Sequence, residues 1–310
     1  MSKTAFLFPG QGSQHPGMGK LLAEHYETAR LVFGHADESL GFSLSRLCFE
    51  GPEDELKRTE NTQPALLAVS VAALRVLKEA GHTPDVVAGH SLGEYSALVA
   101  AGALTFKDAL QLVRKRGRYM QEAVPAGEGA MAALLKLPEG KLDSILTEAA
   151  AGDVVSAANL NSPDQIVIAG HTAAVERAMN LAKAAGAKRA VMLAVSAPFH
   201  CSLMKPAQER LRGDLDQVQF TDLSVPLVSN WNAQPITTGA EAREGLYQQV
   251  PNPVRWTESI RAIRAMGVDK FVEVGAGGVL TGLCRQIDPA LVGAKFGEPG
   301  DWEKVNDVLT

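Results

Sequence analysis

Gly89-His90-Ser91-Leu92-Gly93 leaves the chain little freedom. Residues 85–89, apolar after Asp85, read as a buried strand. Residues 92–101 are rich in helix formers and stop near Gly102, so they read as a helix. The glycines flanking Ser91 remove side chains that would clash in a tight strand-to-helix corner. A strand that passes so directly into a helix belongs to a mostly parallel sheet covered by helices on both faces. The corner has two readings. In one, small residues let a helix approach a strand. In the other, the serine is a nucleophile at a helix N-terminus, where free N–H groups favour negative charge and the N–H of Leu92 helps to hold an oxyanion.

Elsewhere the pattern supports the same class. Residues 5–8 form a short apolar run halted by Pro9 and a glycine-rich loop, Gly10-Gln11-Gly12-Ser13-Gln14. Helices are expected over 64–80 and 106–124, the latter with Phe106, Leu110, Val113, Gly117 and Met120 on one face. Buried strands are expected over 226–229 and 270–274, with a helix ending at 262–266 between them. The middle of the chain differs: strand 129–137, helix 138–151, strands 154–160 and 165–169 joined by a turn at 161–164, helix 173–185 and strand 188–195. That order, β-α-β-β-α-β, is the ferredoxin-like unit. The expected fold is therefore α/β, with a discontinuous large domain over 1–124 and 197–310 and an inserted ferredoxin-like subdomain over 125–196.

Composition excludes several classes. The chain has 310 residues, 46% of them hydrophobic, so a substantial core is affordable in one large or two smaller domains; its net charge of −5 and lack of basic runs argue against nucleic acid. The three cysteines are far apart, which suits a reducing compartment rather than a disulfide framework. No signal peptide is evident, and no apolar stretch approaches the ~20 residues of a membrane span. A soluble cytoplasmic protein with no membrane partner is expected. There is no Walker A loop, no HExxH and no cysteine pair at zinc spacing, so no metal is expected. Gly275-Ala276-Gly277-Gly278-Val279-Leu280 fails the dinucleotide fingerprint at its last position and reads as a strand-to-helix turn of close backbone approach.

A serine needs a base. Of seven histidines, His90 adjoins Ser91 on the strand side, its ring expected to point away from the hydroxyl. His200 lies at the end of the strand leaving the small lobe, in Ser196-Ala197-Pro198-Phe199-His200-Cys201, and is the candidate base; the bland alternative is a histidine packed beside Phe199. Asp108, Asp143, Asp153 and Asp164 fall where a triad acid would, but none has a distinctive setting. Either one of them orients the imidazole or a backbone carbonyl does. Arg116 sits at the border of its helix's apolar stripe, while Lys115 and Arg118 point outward. Such an arginine is a snorkelling or ion-paired structural residue, or a clamp for a substrate carboxylate.

The motifs Phe8-Pro9-Gly10-Gln11-Gly12-Ser13-Gln14, Thr62-Gln63-Pro64-Ala65-Leu66, Gly89-His90-Ser91-Leu92-Gly93-Glu94-Tyr95 and Arg116-Gly117 together resemble the acyltransferases that load malonyl groups onto acyl carrier protein. So do Asn161-Ser162-Pro163, His200-Cys201-Ser202-Leu203-Met204 and Asn252-Pro253-Val254-Arg255-Trp256, and all stand in family order from residue 6 to about 285. The resemblance implies a hydrolase-like α/β core with the inserted ferredoxin-like (βαββαβ) subdomain. It implies Ser91 as nucleophile, His200 as base and then acid, and the main-chain carbonyl of Gln249 as the group that orients His200. It implies an oxyanion hole from the N–H groups of Gln11 and Leu92, and Arg116 as the malonyl carboxylate's partner. Gln63 and Asn161 would line the site, and an aromatic at Phe199, like the branched Leu92, would go with malonyl over methylmalonyl selectivity. Malonyl-CoA and acyl carrier protein are the implied substrate and partner, with a coenzyme A thioester as substrate and no bound cofactor. Lys115, Arg118, Lys188 and Arg189 are available to dock an acidic carrier. The rival readings are a serine esterase or thioesterase, and a non-catalytic module that keeps the shape.

Overall fold

Ten strands divide into two sheets in the computed structural model, which describes residues 3–195 and 197–309. The larger sheet holds β1 (Lys3–Phe8), β2 (Val86–Gly89), β7 (Leu227–Val228), β8 (Pro235–Ile236), β9 (Val268–Val274) and β10 (Val292–Phe296), in the order β10-β9-β1-β2-β7-β8. Every pairing is parallel except that of β7 with β8. β1 is central: Ala5 to Phe8 run beside Val86 to Gly89 on one side, and Thr4 to Leu7 beside Lys270 to Glu273 on the other. β1 from Ala5 and β2 read as continuous apolar runs because helices bury both faces.

The smaller sheet holds β3 (Gly129–Leu135), β4 (Val155–Ser162), β5 (Gln165–His171) and β6 (Arg189–Met192), in the order β4-β5-β3-β6 and antiparallel throughout. With the helices Leu142–Ala150 and Thr172–Ala184, it has the strand and helix order of the ferredoxin-like unit. The strands alternate by face. Ala132, Leu134 and Ile168 pack against Ile145, Ala149, Val175 and Ala178 of the two helices. Met131, Ala133 and Val167 face the other way, onto the main core. β4 is stitched to the large sheet's side of the molecule: Leu160 N–H donates to Val254 O and Val254 N–H to Ala158 O, both at 2.9 Å.

Several element bounds differ from the sequence expectation, three of them for a clear local reason. The helix expected from Pro64 runs Thr59–Glu79, with Pro64 inside it. Proline marks helix starts because it lacks the N–H that would reach back four residues. Here the carbonyl so deprived, Glu60 O, accepts from Arg114 Nη1 at 2.9 Å instead. The helix expected from 138 begins at Leu142, after Gly140 adopts φ 74°. The strand expected over 188–195 stops at Met192, and Leu193 and Val195 turn in to wall a cavity; Ser196 lies outside the described residues. Among the described residues no helix is long and apolar enough to cross a membrane.

Candidate active site

The loops that leave the carboxyl ends of β1, β2, β7 and β9 all rise at one edge of the large sheet, the edge where open α/β sheets form their crevices. Gly10 and Gln11 follow β1, Ser91 follows β2, Asn230 follows β7, and the turn Gly275–Gly278 follows β9. The smaller sheet closes the other side. A cavity of about 250 Å³ lies between them, lined by Gln11, Ser91, Leu92, Arg116, Phe199 and His200 among others.

The corner at Ser91 is as tight as its glycines suggest. A Cβ on Gly89 would stand 1.9 Å from the Gly93 carbonyl carbon, and one on Gly93 would stand 2.0 Å from Phe8 O. Ser91 has φ 51° and His200 φ 59°, in the left-handed region that non-glycine residues rarely adopt. Such strain costs about 1–3 kcal/mol per residue and persists where the surroundings impose it. At Ser91 the imposing partner is Asn230: its Oδ1 accepts from Ser91 N–H at 2.7 Å and its Nδ2 donates to Gly89 O at 2.7 Å.

Ser91 Oγ lies 2.7 Å from His200 Nε2, and His200 Nδ1 lies 3.0 Å from the main-chain oxygen of Gln249, at the end of the helix Gly239–Gln249. A carbonyl only accepts, so Nδ1 carries the proton and Nε2 is left free to take one from Ser91. Burial and then the Arg116 charge push the His200 pKa down to about 3, so the imidazole is neutral around pH 7. Three of the interval's aspartates are engaged elsewhere: Asp108 with Thr105, Asp153 with Arg177, Asp164 with Lys136.

Arg116 is 1% exposed and enters the cavity from the helix Phe106–Glu122. Its Nη1 donates to Gln63 Oε1 at 2.8 Å, and its Nη2 donates to Gln249 Oε1 at 2.8 Å and to Ser91 Oγ at 3.0 Å. The guanidinium carbon is 5.6 Å from the Tyr95 ring centroid. It neither snorkels nor forms an ion pair: among the described residues no carboxylate oxygen reaches it. Its pKa is pulled down by burial and held up by Tyr95 and Glu94.

The remaining expected residues gather here too. Gln11 and Leu92 line the cavity. Among the described residues neither has a protein acceptor for its N–H. Phe199 is buried on the wall. Asn161, on β4 rather than in the turn, takes His90 Nε2 at 2.8 Å and donates to Gln165 Oε1 at 2.8 Å. His90 thus turns to the small sheet and not to Ser91, though it still lines the cavity. The Gly275–Gly278 turn fits close approach: a Cβ on Gly275 would stand 2.4 Å from Ser70 Oγ. All three cysteines are free and buried. Among the described residues no cluster of three or more His, Cys, Asp or Glu is arranged to hold a metal ion.

Sequence reasoning passed over Asn230 and Glu94. Asn230 follows a strand at its carboxyl end, the side on which open sheets bind. Glu94 is an acid within a short helix that is otherwise small and apolar, a sign of a buried charge. It is 1% exposed, and its Oε2 accepts from Gln249 Nε2 at 2.6 Å and from Asn230 N–H at 3.2 Å.

Comparison with known proteins accords with this geometry. Residues 5–287 match the family model described as acyl transferase domain. The malonyl CoA-acyl carrier protein transacylase of Bacillus subtilis (strain 168) is 53% identical over 300 residues, covering 96% of this chain and 95% of that one. The crystal structure of an acyl carrier protein S-malonyltransferase from Vibrio cholerae superposes with a TM-score of 0.96 at 47% identity, over 98% of this chain and 100% of that one. A malonyl-transacylase solved in complex with its type II PKS acyl-carrier protein gives a TM-score of 0.96 at 46% identity, over 99% of each. The chain belongs to the acyl transferase domain family.

Proposed function

We propose that the chain moves a malonyl group from coenzyme A to the phosphopantetheine thiol of acyl carrier protein through an ester on Ser91, supplying fatty acid biosynthesis. One observation carries the choice of acyl group: a buried guanidinium, facing the cavity and touched by no carboxylate among the described residues, stands 3.0 Å from Ser91 Oγ. A cation placed so fits an acyl chain that ends in a carboxylate.

In the first step Arg116 takes the malonyl carboxylate, with Gln63 and the Gln249 side chain holding the guanidinium. Ser91 gives its proton to His200 Nε2, and Oγ attacks the thioester carbonyl. The N–H groups of Gln11 and Leu92 meet the oxyanion; each such donor is typically worth about 3 kcal/mol. The tetrahedral species collapses, and His200 returns the proton to the coenzyme A sulfur. In the second step the carrier's thiol gives its proton to His200, attacks the ester, and Ser91 is restored. Throughout, the Gln249 carbonyl holds Nδ1–H, doing the work of a triad acid with a dipole instead of a charge.

Residues 125–196 act as a lobe over the core formed by 1–124 and 197–310; with Asn161 and Gln165 of the lobe on the cavity wall, the thiol arm enters between the two. Of the basic residues considered for carrier docking, Lys115 is held by Asp214 at 2.5 Å, whereas Arg118, Lys188 and Arg189 are exposed. On this reading the enzyme is cytoplasmic and needs no bound cofactor, coenzyme A being its substrate's carrier.

Intact-mass measurement after exposure to malonyl-CoA tests the reading. A malonyl adduct should form on the wild type, not on S91A, and should leave when carrier protein is added. An adduct that persists in S91A overturns the nucleophile; loss to water at the same rate with and without carrier overturns the transfer.

A further inference from the structure

Arg116 is a buried cation, and a buried cation without compensation is costly by several kcal/mol. The carboxylate that favours its charge is Glu94, on the helix Gly93–Ala100. The two do not touch. The Gln249 amide stands between them, giving Nε2–H to Glu94 Oε2 at 2.6 Å and taking Arg116 Nη2 on Oε1 at 2.8 Å. Its orientation is fixed, because Nε2 also meets Ser91 O at 3.0 Å and both neighbours are acceptors. A direct ion pair would occupy the guanidinium. Compensation at one amide's remove leaves it open to the cavity.

We propose that Glu94 is the resting counter-anion of Arg116 and that it takes up a proton when a malonyl group is loaded, so that forming the malonyl-enzyme consumes a proton that forming the acetyl-enzyme does not. The inference rests on Arg116 receiving the malonyl carboxylate. Two carboxylates then share one guanidinium, and the like charges disfavour each other's ionisation. The substrate's carboxylate has the direct contact, so Glu94 yields.

The surroundings of Glu94 suit either charge state. Burial pushes its pKa up to about 7, against hydrogen bonds from Gln249 and Asn230 and the Arg116 charge, while the buried Ser229 Oγ has no hydrogen-bond partner among the described residues. Among the described residues Arg116 is the one cation acting on it; Tyr95, next on the same helix, is kept neutral by burial, and Gln249, Ser229 and Asn230 carry no charge. Glu94 Oε1 and Ser229 Oγ both face Gly245, 3.8 and 3.1 Å from where a Cβ would stand. A hydroxyl rotates to donate to a carboxylate or to accept from a protonated acid. Spending the Arg116 charge on a second carboxylate therefore moves Glu94 upward through neutral pH with a proton acceptor beside it.

The test follows proton uptake with an indicator dye in weakly buffered full-length protein, as acylation by malonyl-CoA or acetyl-CoA comes to completion. Malonyl loading should take up as much as about one proton more per site than acetyl loading, with the difference greatest above about pH 7, between the resting and the raised value, and absent in E94Q. Equal proton changes for the two acyl groups from about pH 6 to about pH 9 overturn the inference. Should E94Q not fold, the wild-type difference decides alone. R116A separates the two readings. If it keeps the wild-type preference for malonyl, the carboxylate reading fails; if it loses that preference while the wild type shows no proton difference, only the Glu94 inference fails.

Discussion

Arg116 Nη2 donates to Ser91 Oγ at 3.0 Å, so the guanidinium and the proposed nucleophile are already joined by a hydrogen bond. The contact leaves the Ser91 proton to His200, whose Nε2 is 2.7 Å away on the same oxygen. A cation on Oγ also favours the developing alkoxide. In the proposed mechanism, selection of the acyl group and activation of the serine therefore draw on one side chain.

R116A should lose malonyl-enzyme formation far more than acetyl-enzyme formation. Removing one partner of a buried, hydrogen-bonded charge pair costs about 3–5 kcal/mol, or a factor of about 10² to 10⁴ in rate. Acetyl transfer makes no such pair and keeps Ser91, His200 and the two N–H donors. Rapid-quench measurement of both acyl-enzymes checks the ratio; an unchanged malonyl-to-acetyl ratio rules out the carboxylate role.

Gln249 holds His200 with its main chain and Arg116 with its side chain, and the two parts are separable. Q249A keeps the carbonyl. It should therefore retain acetyl-enzyme formation to within about tenfold while malonyl-enzyme formation falls by more, one hydrogen bond to a charged group being worth about 1.5–3 kcal/mol. The same rapid-quench assay applies. Equal losses for both acyl groups would mean that the side chain acts by holding the helix end in place.

The parts of the site visible in the sequence are those whose chemistry is local. Gly89 and Gly93 announce the corner because only glycine fits the approaches they make, and the β-α-β-β-α-β order of residues 129–195 announces the small sheet with its two helices. The orienting group of His200 was not visible from residue chemistry, because a backbone carbonyl carries no residue signature; the resemblance alone pointed to Gln249. Position on the helix put Arg116 at a border but could not say what it meets, since Gln63, Gln249 and Ser91 come from three distant segments. Pro64 misled for a similar reason. The remedy for its missing donor, Arg114, lies fifty residues away in the chain and beside it in space.

G93A should destabilise the protein and not merely slow it. The added Cβ would stand 2.0 Å from Phe8 O, a backbone atom of the central strand that cannot rotate aside. Overpacking of this kind costs about 1–3 kcal/mol or more, and each kcal/mol lowers Tm by about 2–4 °C in chains of about 150–250 residues. Thermal unfolding monitored by circular dichroism checks it. A Tm equal to wild type would mean that β1 and the corner are less tightly apposed than they stand here.

His200 makes stability depend on pH with a definite sign. In the folded protein burial and Arg116 push its pKa down to about 3, whereas unfolded it titrates near the usual histidine value of 6.5. Between those values the unfolded chain binds a proton that the folded one refuses. The contribution is therefore fully present above about pH 6.5 and is lost as pH falls, at about 1.4 kcal/mol per pH unit for one proton. H200A lacks the term. The stability of the wild type relative to H200A should shrink steadily from about pH 7 to about pH 4, measured by urea unfolding at each pH. A constant difference would show that His200 protonates in the folded state as readily as in the unfolded one, and that the neutral base inferred for the resting site is wrong.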